Sequence, residues 1–194
     1  HIEIFLNAET GSVETAFNKA YAHTGFTQVN QGMNKKALDL IESLAIPILK
    51  EDCCILDLFG GKGNLSQRFP QTQKHLKIFV IDKYHPKYIP NNGLQKFVNL
   101  DLFKNGSENI LAKKVKDQVE LMIIDPPRSG FKNIKNYLDR FTPKYLIYMS
   151  CKTSTMARDL VSIQDNYKVK AAYLMDFFAG TFHYESLVIV ERKL

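Results

Sequence analysis

The stretch Cys53-Cys54-Ile55-Leu56-Asp57-Leu58-Phe59-Gly60-Gly61-Lys62-Gly63-Asn64 decides the fold. An apolar run of strand length ends on an acid and opens into closely spaced glycines. Glycines there let a backbone come close to a ligand, and the N–H groups of a following helix would point outward. The stretch therefore reads as a buried strand turning into a helix at a ligand-binding edge.

Outward from it the same rhythm repeats. KIFVID (77–82), KFVNLDLF (96–103) and VELMIIDPP (119–127) are apolar runs ending on an acid or just beyond one, and YLIYMSC (145–151) ends on a cysteine, with longer mixed segments between them. TSTMARDLVSIQ after the fifth run is helical, with Thr153 or Ser154 able to cap its first turn. VKAAYLMDFF (169–178) and SLVIVERKL (186–194) are joined by AGTFHYE, too short for a helix, so they form an antiparallel hairpin. The expected fold is α/β: a doubly wound, Rossmann-like, seven-stranded mixed sheet with one reversed strand near its end. A helix over 31–49, packing Leu38, Ile41 and Ala45 inward, precedes the first strand. Residues 26–194 form one catalytic-sized domain, and residues 1–25 are expected to be a strand and a short helix left from a preceding region.

Bulk properties narrow the class. The 194 residues are 45% hydrophobic and 24% charged, enough for one domain with a real core. No apolar run approaches the roughly 18 residues that span a bilayer, and the first residues lack the pattern of an export signal. Three cysteines do not make a disulfide framework, so a reducing cytoplasm is the expected compartment; a monomer with no metal site is expected as well. A net charge of +6 suits a phosphate-rich partner, although a merely soluble basic surface accounts for it as well.

The glycine turn lacks the Gly-Lys-Ser/Thr of a phosphate loop, and Ser66 stands where a dinucleotide fingerprint needs its third glycine. Both departures favour a ligand without a pyrophosphate, of which S-adenosylmethionine is one. Gly61 and Gly63 would approach it closely. Asp82, ending the second strand, is placed for the ribose hydroxyls, and Asp101, ending the third, for the adenine border.

Three features carry chemistry. In Asp125-Pro126-Pro127-Arg128, two prolines stiffen the loop and aim the Asp125 carboxylate above the sheet. Cys151 ends the fifth strand, near a helix N-terminus and close in sequence to Lys152 and Arg158, which favour a thiolate. It reads either as a nucleophile or as a small buried residue. In the turn Thr181-Phe182-His183-Tyr184-Glu185, aromatic surroundings would raise the pKa of Glu185 and make it a usable base, with His183 as its rival.

These pieces occur in the order FTQVNQGMN (26–34), LDLFGGKGN (56–64), IIDPPRSG (123–130), YMSCKTSTMARD (148–159) and DFFAGTFHYES (176–186). From residue 26 onward the chain resembles the catalytic domain of the RNA uracil-5-methyltransferases, which act on transfer RNA and large-subunit ribosomal RNA. The resemblance implies that Cys151 is the nucleophile and Glu185 the base. It implies cofactor contacts from Gln28, Phe59, Asn64, Asp82, Asp101 and Asp125, with Asp125 also near the target base. It further implies a flipped-out uridine as the RNA partner's reacting group, with Phe26, Phe177, Phe178 and Phe182 as candidates to stack with it or fill its gap.

The chain departs from the family pattern in three places. Lys152-Thr153 replaces the usual Asn-Pro after the cysteine, Asp82 replaces Glu, and the segment after Asp82 is short and carries Pro86 and Pro90, so a crossover helix is expected to be lost or reduced. A cytosine-5 RNA methyltransferase would carry Thr-Cys and a second cysteine after the fourth-strand proline, which DPPRSG lacks. A non-catalytic RNA-binding remnant of the fold is the other alternative.

Overall fold

The computed structural model describes residues 2–6, 11–17, 30–69, 75–84 and 95–193. Its main sheet is built out from the third strand in chain order, β3 (Cys54–Leu58). β4 (Lys77–Asp82) and β5 (Gln95–Asn99) follow on one side. β6 (Val119–Ile124), β7 (Tyr145–Ser150), β9 (Glu185–Arg192) and β8 (Tyr167–Met175) follow on the other. The sheet order is β5-β4-β3-β6-β7-β9-β8, and β9 runs opposite to the other six strands. The expected doubly wound sheet with one reversed strand is therefore present.

Alternate residues of the central strands enter two separate cores, because successive side chains point to opposite faces. Leu56 and Leu58 join Tyr137 and Phe141 of helix α3 (Ile134–Phe141), Leu111 of α2 (Ser107–Lys114) and Met156 of α4 (Thr153–Val161). Ile55 joins Leu38, Ile41 and Ala45 of α1 (Gln31–Ala45), which bury as their spacing predicts. The helix expected over 31–49 stops at Ala45 and tightens into a 3-10 turn over Ile46–Ile48, since Pro47 has no N–H to continue the α ladder.

Two expected boundaries change. β5, expected over 96–103, ends at Asn99, because the Asp101 carboxylate accepts the Phe103 N–H (3.1 Å) and the chain turns there. In residues 1–25 the described part is an antiparallel strand pair, β1 (Ile2–Leu6) with β2 (Val13–Phe17), where a strand and a short helix were expected. The segment carrying Pro86 and Pro90 lies outside the described residues.

Candidate active site

Strand order reverses at β3, with β4 on one flank and β6 on the other, and the loops at such a switch point diverge to leave a crevice at the carboxyl ends of the strands. A cleft of about 1230 Å³ opens there. Phe59, Gly61, Asn64, Asp82, Asp101, Asp125, Cys151 and Glu185 all line it. Eight of the ten expected site residues thus come from six strands to one cavity, five at their carboxyl ends and Glu185 at the start of β9. Gln28 and Phe26 lie outside the described residues.

The exception is Gly63, which is absent from the lining. Its φ is 80°, and a Cβ there would stand 2.7 Å from Nε2 of Gln95. Gly63 is required because the buried Gln95 reaches under the loop, donating to the Gly63 carbonyl (3.2 Å) and to Ser66 Oγ (3.0 Å). Asp57 likewise serves the loop from below. It is fully buried, accepts a hydrogen bond from Ser66 (2.6 Å), and burial pushes its carboxyl up to about 7.

The β3–β5 half of the cleft is built for a polar, partly aromatic ligand. Asp82 accepts the Gly61 N–H (3.1 Å) on one oxygen and the Tyr84 N–H (2.9 Å) on the other, so its carboxylate is fixed at the cavity wall. Asp101 is held by Lys83 (3.2 Å), whose hydrogen bond, with that of the Phe103 N–H, keeps the carboxyl below its ordinary value. Phe59 packs its ring against Phe103 (centroids 5.3 Å apart) and Phe131 (4.9 Å). Phe103, itself half in the cleft, is an aromatic wall that the sequence reading missed; its position two residues past an acid was the only signal.

Asn64 is held by its neighbours. Its amide exchanges reciprocal hydrogen bonds with Asn34 of α1 (2.9 and 3.1 Å) and accepts a third from Gln67 (3.0 Å). Asn30 caps α1 through the Met33 N–H (3.0 Å) and donates to the Phe177 carbonyl (3.1 Å), tying α1 to the 176–184 turn. Both asparagines sit in the quoted 26–34 motif, yet neither was singled out as a site residue.

The β6–β9 half holds the reactive groups. Asp125 follows β6 directly, and no hydrogen bond from the described residues occupies its carboxylate. Burial, with the neighbouring Glu185 and Asp57 charges adding to it, pushes it up to about 8. Glu185, the first residue of β9, is 4% exposed; burial pushes it up to about 7, and the Arg128 guanidinium draws it partly back. Cys151 is half-exposed at the end of β7. His183, the rival base, is exposed and flanked by Phe182 (ring centroids 4.6 Å apart).

One local expectation, the helix cap, is corrected, and two other groups are placed. Neither Thr153 nor Ser154 caps α4: the cap position is Lys152, with no side-chain cap bond. The Thr153 hydroxyl turns instead to Tyr184 Oη (3.3 Å) and Ser186 Oγ (3.1 Å). Arg158 is engaged by Asp159 (2.6 Å) and the Ser129 carbonyl (2.9 Å). Of the candidate stacking rings, Phe178 lines the cleft, Phe177 is buried core, and Phe182 is 86% exposed to solvent.

The family model described as tRNA (uracil-5-)-methyltransferase matches residues 97–193. The chain is 31% identical over 178 residues to a 23S rRNA (uracil(1939)-C(5))-methyltransferase of Francisella tularensis, covering 86% of this chain and 38% of that one. It is 32% identical over 185 residues to the Acinetobacter baumannii protein of the same name, covering 90% and 39%. The chain thus spans well under half the length of the curated relatives it matches. In structure it is similar to the Pyrococcus abyssi tRNA (uracil-54, C5)-methyltransferase crystallised with S-adenosyl-L-homocysteine, with TM-score 0.64 and 22% identity, covering 86% of this chain and 40% of that one.

Proposed function

The chain belongs to the RNA uracil-5-methyltransferase family, and from that premise we propose that it methylates carbon 5 of a uridine in ribosomal or transfer RNA through a covalent adduct of Cys151. The observation that carries the reading is the convergence of Cys151, Glu185 and Asp125, from three separate strand ends, on one cleft with Glu185 buried in it. The net charge of +6 suits the phosphates of such a substrate.

S-adenosylmethionine fits the other half of the same cleft. Asp82 offers oxygens with remaining lone pairs to the ribose hydroxyls, and Asp101 offers an ionised acceptor. Phe59 and Phe103 offer apolar faces, while Gly61, Asn64 and, from the 26–34 motif, Gln28 complete the binding set. When bound, it supplies the electrophilic methyl group that carbon 5 takes. Catalysis on the RNA side belongs to this chain's own residues. The Cys151 sulfur bonds to carbon 6 of the flipped base, and the electron pair of the 5,6 double bond moves to make carbon 5 nucleophilic. After methylation the carbon 5 proton passes to Glu185, the double bond re-forms, and the carbon–sulfur bond breaks to release Cys151. Asp125, which lines the same cleft, would face base and cofactor alike.

The test is trapping on RNA carrying 5-fluorouridine with S-adenosylmethionine present. Fluorine on carbon 5 cannot leave as a proton, so the adduct persists and survives denaturing electrophoresis. A band that remains in Cys151→Ala assigns the nucleophile elsewhere; no band with the unaltered chain ends the covalent reading.

A further inference from the structure

We infer that Asp159 and Arg158 together form a positioning clamp that holds the loop carrying Asp125 and Arg128 against the helix that follows Cys151. The inference rests on the reaction proposed above for its consequence, and on the hydrogen bonds alone for its existence.

Asp159 is buried, with its side chain 1% exposed. It accepts hydrogen bonds from the Phe131 N–H (2.6 Å), from Tyr148 Oη (2.7 Å), and from Arg158 through Nε (3.0 Å) and Nη2 (2.6 Å). These donors come from three places: the end of the Asp125–Phe131 loop, the strand that delivers Cys151, and α4 itself. Arg158 Nη2 also donates to the Ser129 carbonyl (2.9 Å), and the Thr155 hydroxyl donates to the Arg128 carbonyl (3.3 Å). One face of α4 therefore grips the backbone of residues 128, 129 and 131.

Gly130 shows how closely the two are fitted. Its φ is 73°, and a Cβ there would stand 2.6 Å from both Arg158 Nη2 and Asp159 Oδ2. The loop lies on the clamp with no room for a side chain between them.

The mechanical consequence follows from connectivity. Tyr148 lies three residues before Cys151 and α4 starts two residues after it, so the nucleophile is bracketed by the same carboxylate that fixes the loop. Movement of the loop relative to Cys151 would require breaking a buried, multiply bonded acid, which is costly because each freed donor would be left without a partner. Asp159 touches no reacting atom. It sets the distance between two groups that do.

Arg158→Met tests this most cleanly, because Arg158 is 41% exposed and its loss leaves the Phe131 and Tyr148 bonds to Asp159 in place. Asp159→Asn is the companion: it keeps the shape and one acceptor but loses the ion pair. Hydrogen–deuterium exchange over residues 126–133 is the first readout, and it needs no turnover. Faster exchange there with unchanged exchange in β3 and β6 is expected for Arg158→Met, and unchanged loop exchange overturns the clamp. Steady-state kinetics is the second readout. The expected result is a kcat reduced about tenfold to a hundredfold, as for a small misplacement of reacting groups, with KM for S-adenosylmethionine within about twofold. A folded variant with the kcat of the unaltered chain overturns the positioning role. Absence of product from the unaltered chain would instead count against the proposed reaction, while the exchange result still decides whether the clamp exists. If Asp159→Asn fails to fold, Arg158→Met alone decides.

Discussion

Ser150 stands opposite Ser186 in the antiparallel ladder between β7 and β9. In such a ladder the next pair outward is the following residue of one strand and the preceding residue of the other, here Cys151 and Glu185. Cross-strand partners project to the same side of a sheet, which is how a cysteine and a glutamate 34 positions apart in sequence come to line one cleft. The reversed direction of β9 is essential, since a parallel strand would bring Glu185 in at the opposite end of the sheet.

That pairing separates adduct formation from adduct release. Glu185→Gln keeps the shape and leaves Cys151 untouched, so addition to carbon 6 continues while removal of the carbon 5 proton fails. Turnover should fall by about 10²–10⁴-fold, the usual worth of a positioned base. With ordinary uridine RNA a methylated, protein-bound species should accumulate and appear on a denaturing gel. Turnover equal to that of the unaltered chain would remove Glu185 from the role of base.

The pH dependence of turnover follows from the same carboxyl. Burial holds Glu185 near 7, up from an ordinary 4.5, so a step that needs the ionised form should speed up as pH rises through neutrality. The Arg128 charge favours the ionised form, and Arg128→Gln should therefore move the rise to higher pH. Asp125 is pushed up to about 8 by burial and by Glu185 itself, so the two acids titrate as a pair and the rise should be broad. Turnover measured from mildly acid to mildly alkaline pH checks this. A rise at the ordinary carboxylate value would contradict the buried environment of Glu185.

The sheet was legible because its inner strands β3, β6 and β7 are buried on both faces and appear as short apolar runs with an acid or cysteine at or near the end. Asp82, Asp125 and Cys151 could be placed from that pattern alone. Contacts made at a distance in sequence were not legible. Gly63 looks like a ligand glycine, but Gln95, 32 residues away, is what requires it. Thr153 looks like a helix cap until Ser186 and Tyr184 arrive from the hairpin. Arg158 sits close enough to Cys151 in sequence to suggest an electrostatic role, while its partners are Asp159 and Ser129. A motif fixes residue types and spacing, whereas side-chain direction depends on which element packs against it.

Thr153 is the second residue after the cysteine, where the resemblance leads one to expect proline. As the first residue of α4 it occupies a site where proline's missing N–H costs nothing, so the backbone there accepts either residue. What threonine adds is a hydroxyl tie between the cysteine loop and the start of β9. Thr153→Val removes the tie at nearly constant volume, and kcat should drop about twofold to tenfold, the range of one net hydrogen bond. Thr153→Pro should lose the same tie while recovering part of the rate through a stiffer loop. Equal rates for Thr153→Val and the unaltered chain would show that the hydroxyl positions nothing.

Asp57 makes a stability prediction independent of catalysis. Its carboxyl sits near 7 in the folded chain against an ordinary 3.8, chiefly because burial disfavours the charge. Between those two values the folded state keeps a proton that the unfolded state has released. Its contribution is therefore fully present in acid and is lost as pH rises toward 7, on the order of 4 kcal/mol if the whole shift is realised. Asp125 and Glu185 are shifted in the same direction and act with the same sign. The melting temperature without cofactor should fall from mildly acid to mildly alkaline pH. Asp57→Asn keeps an acceptor for Ser66 Oγ and removes one ionisation, so its melting temperature should gain on that of the unaltered chain as pH rises. Parallel melting curves across that range would mean that Asp57 is ionised in the folded protein and that the glycine loop rests on a buried charge.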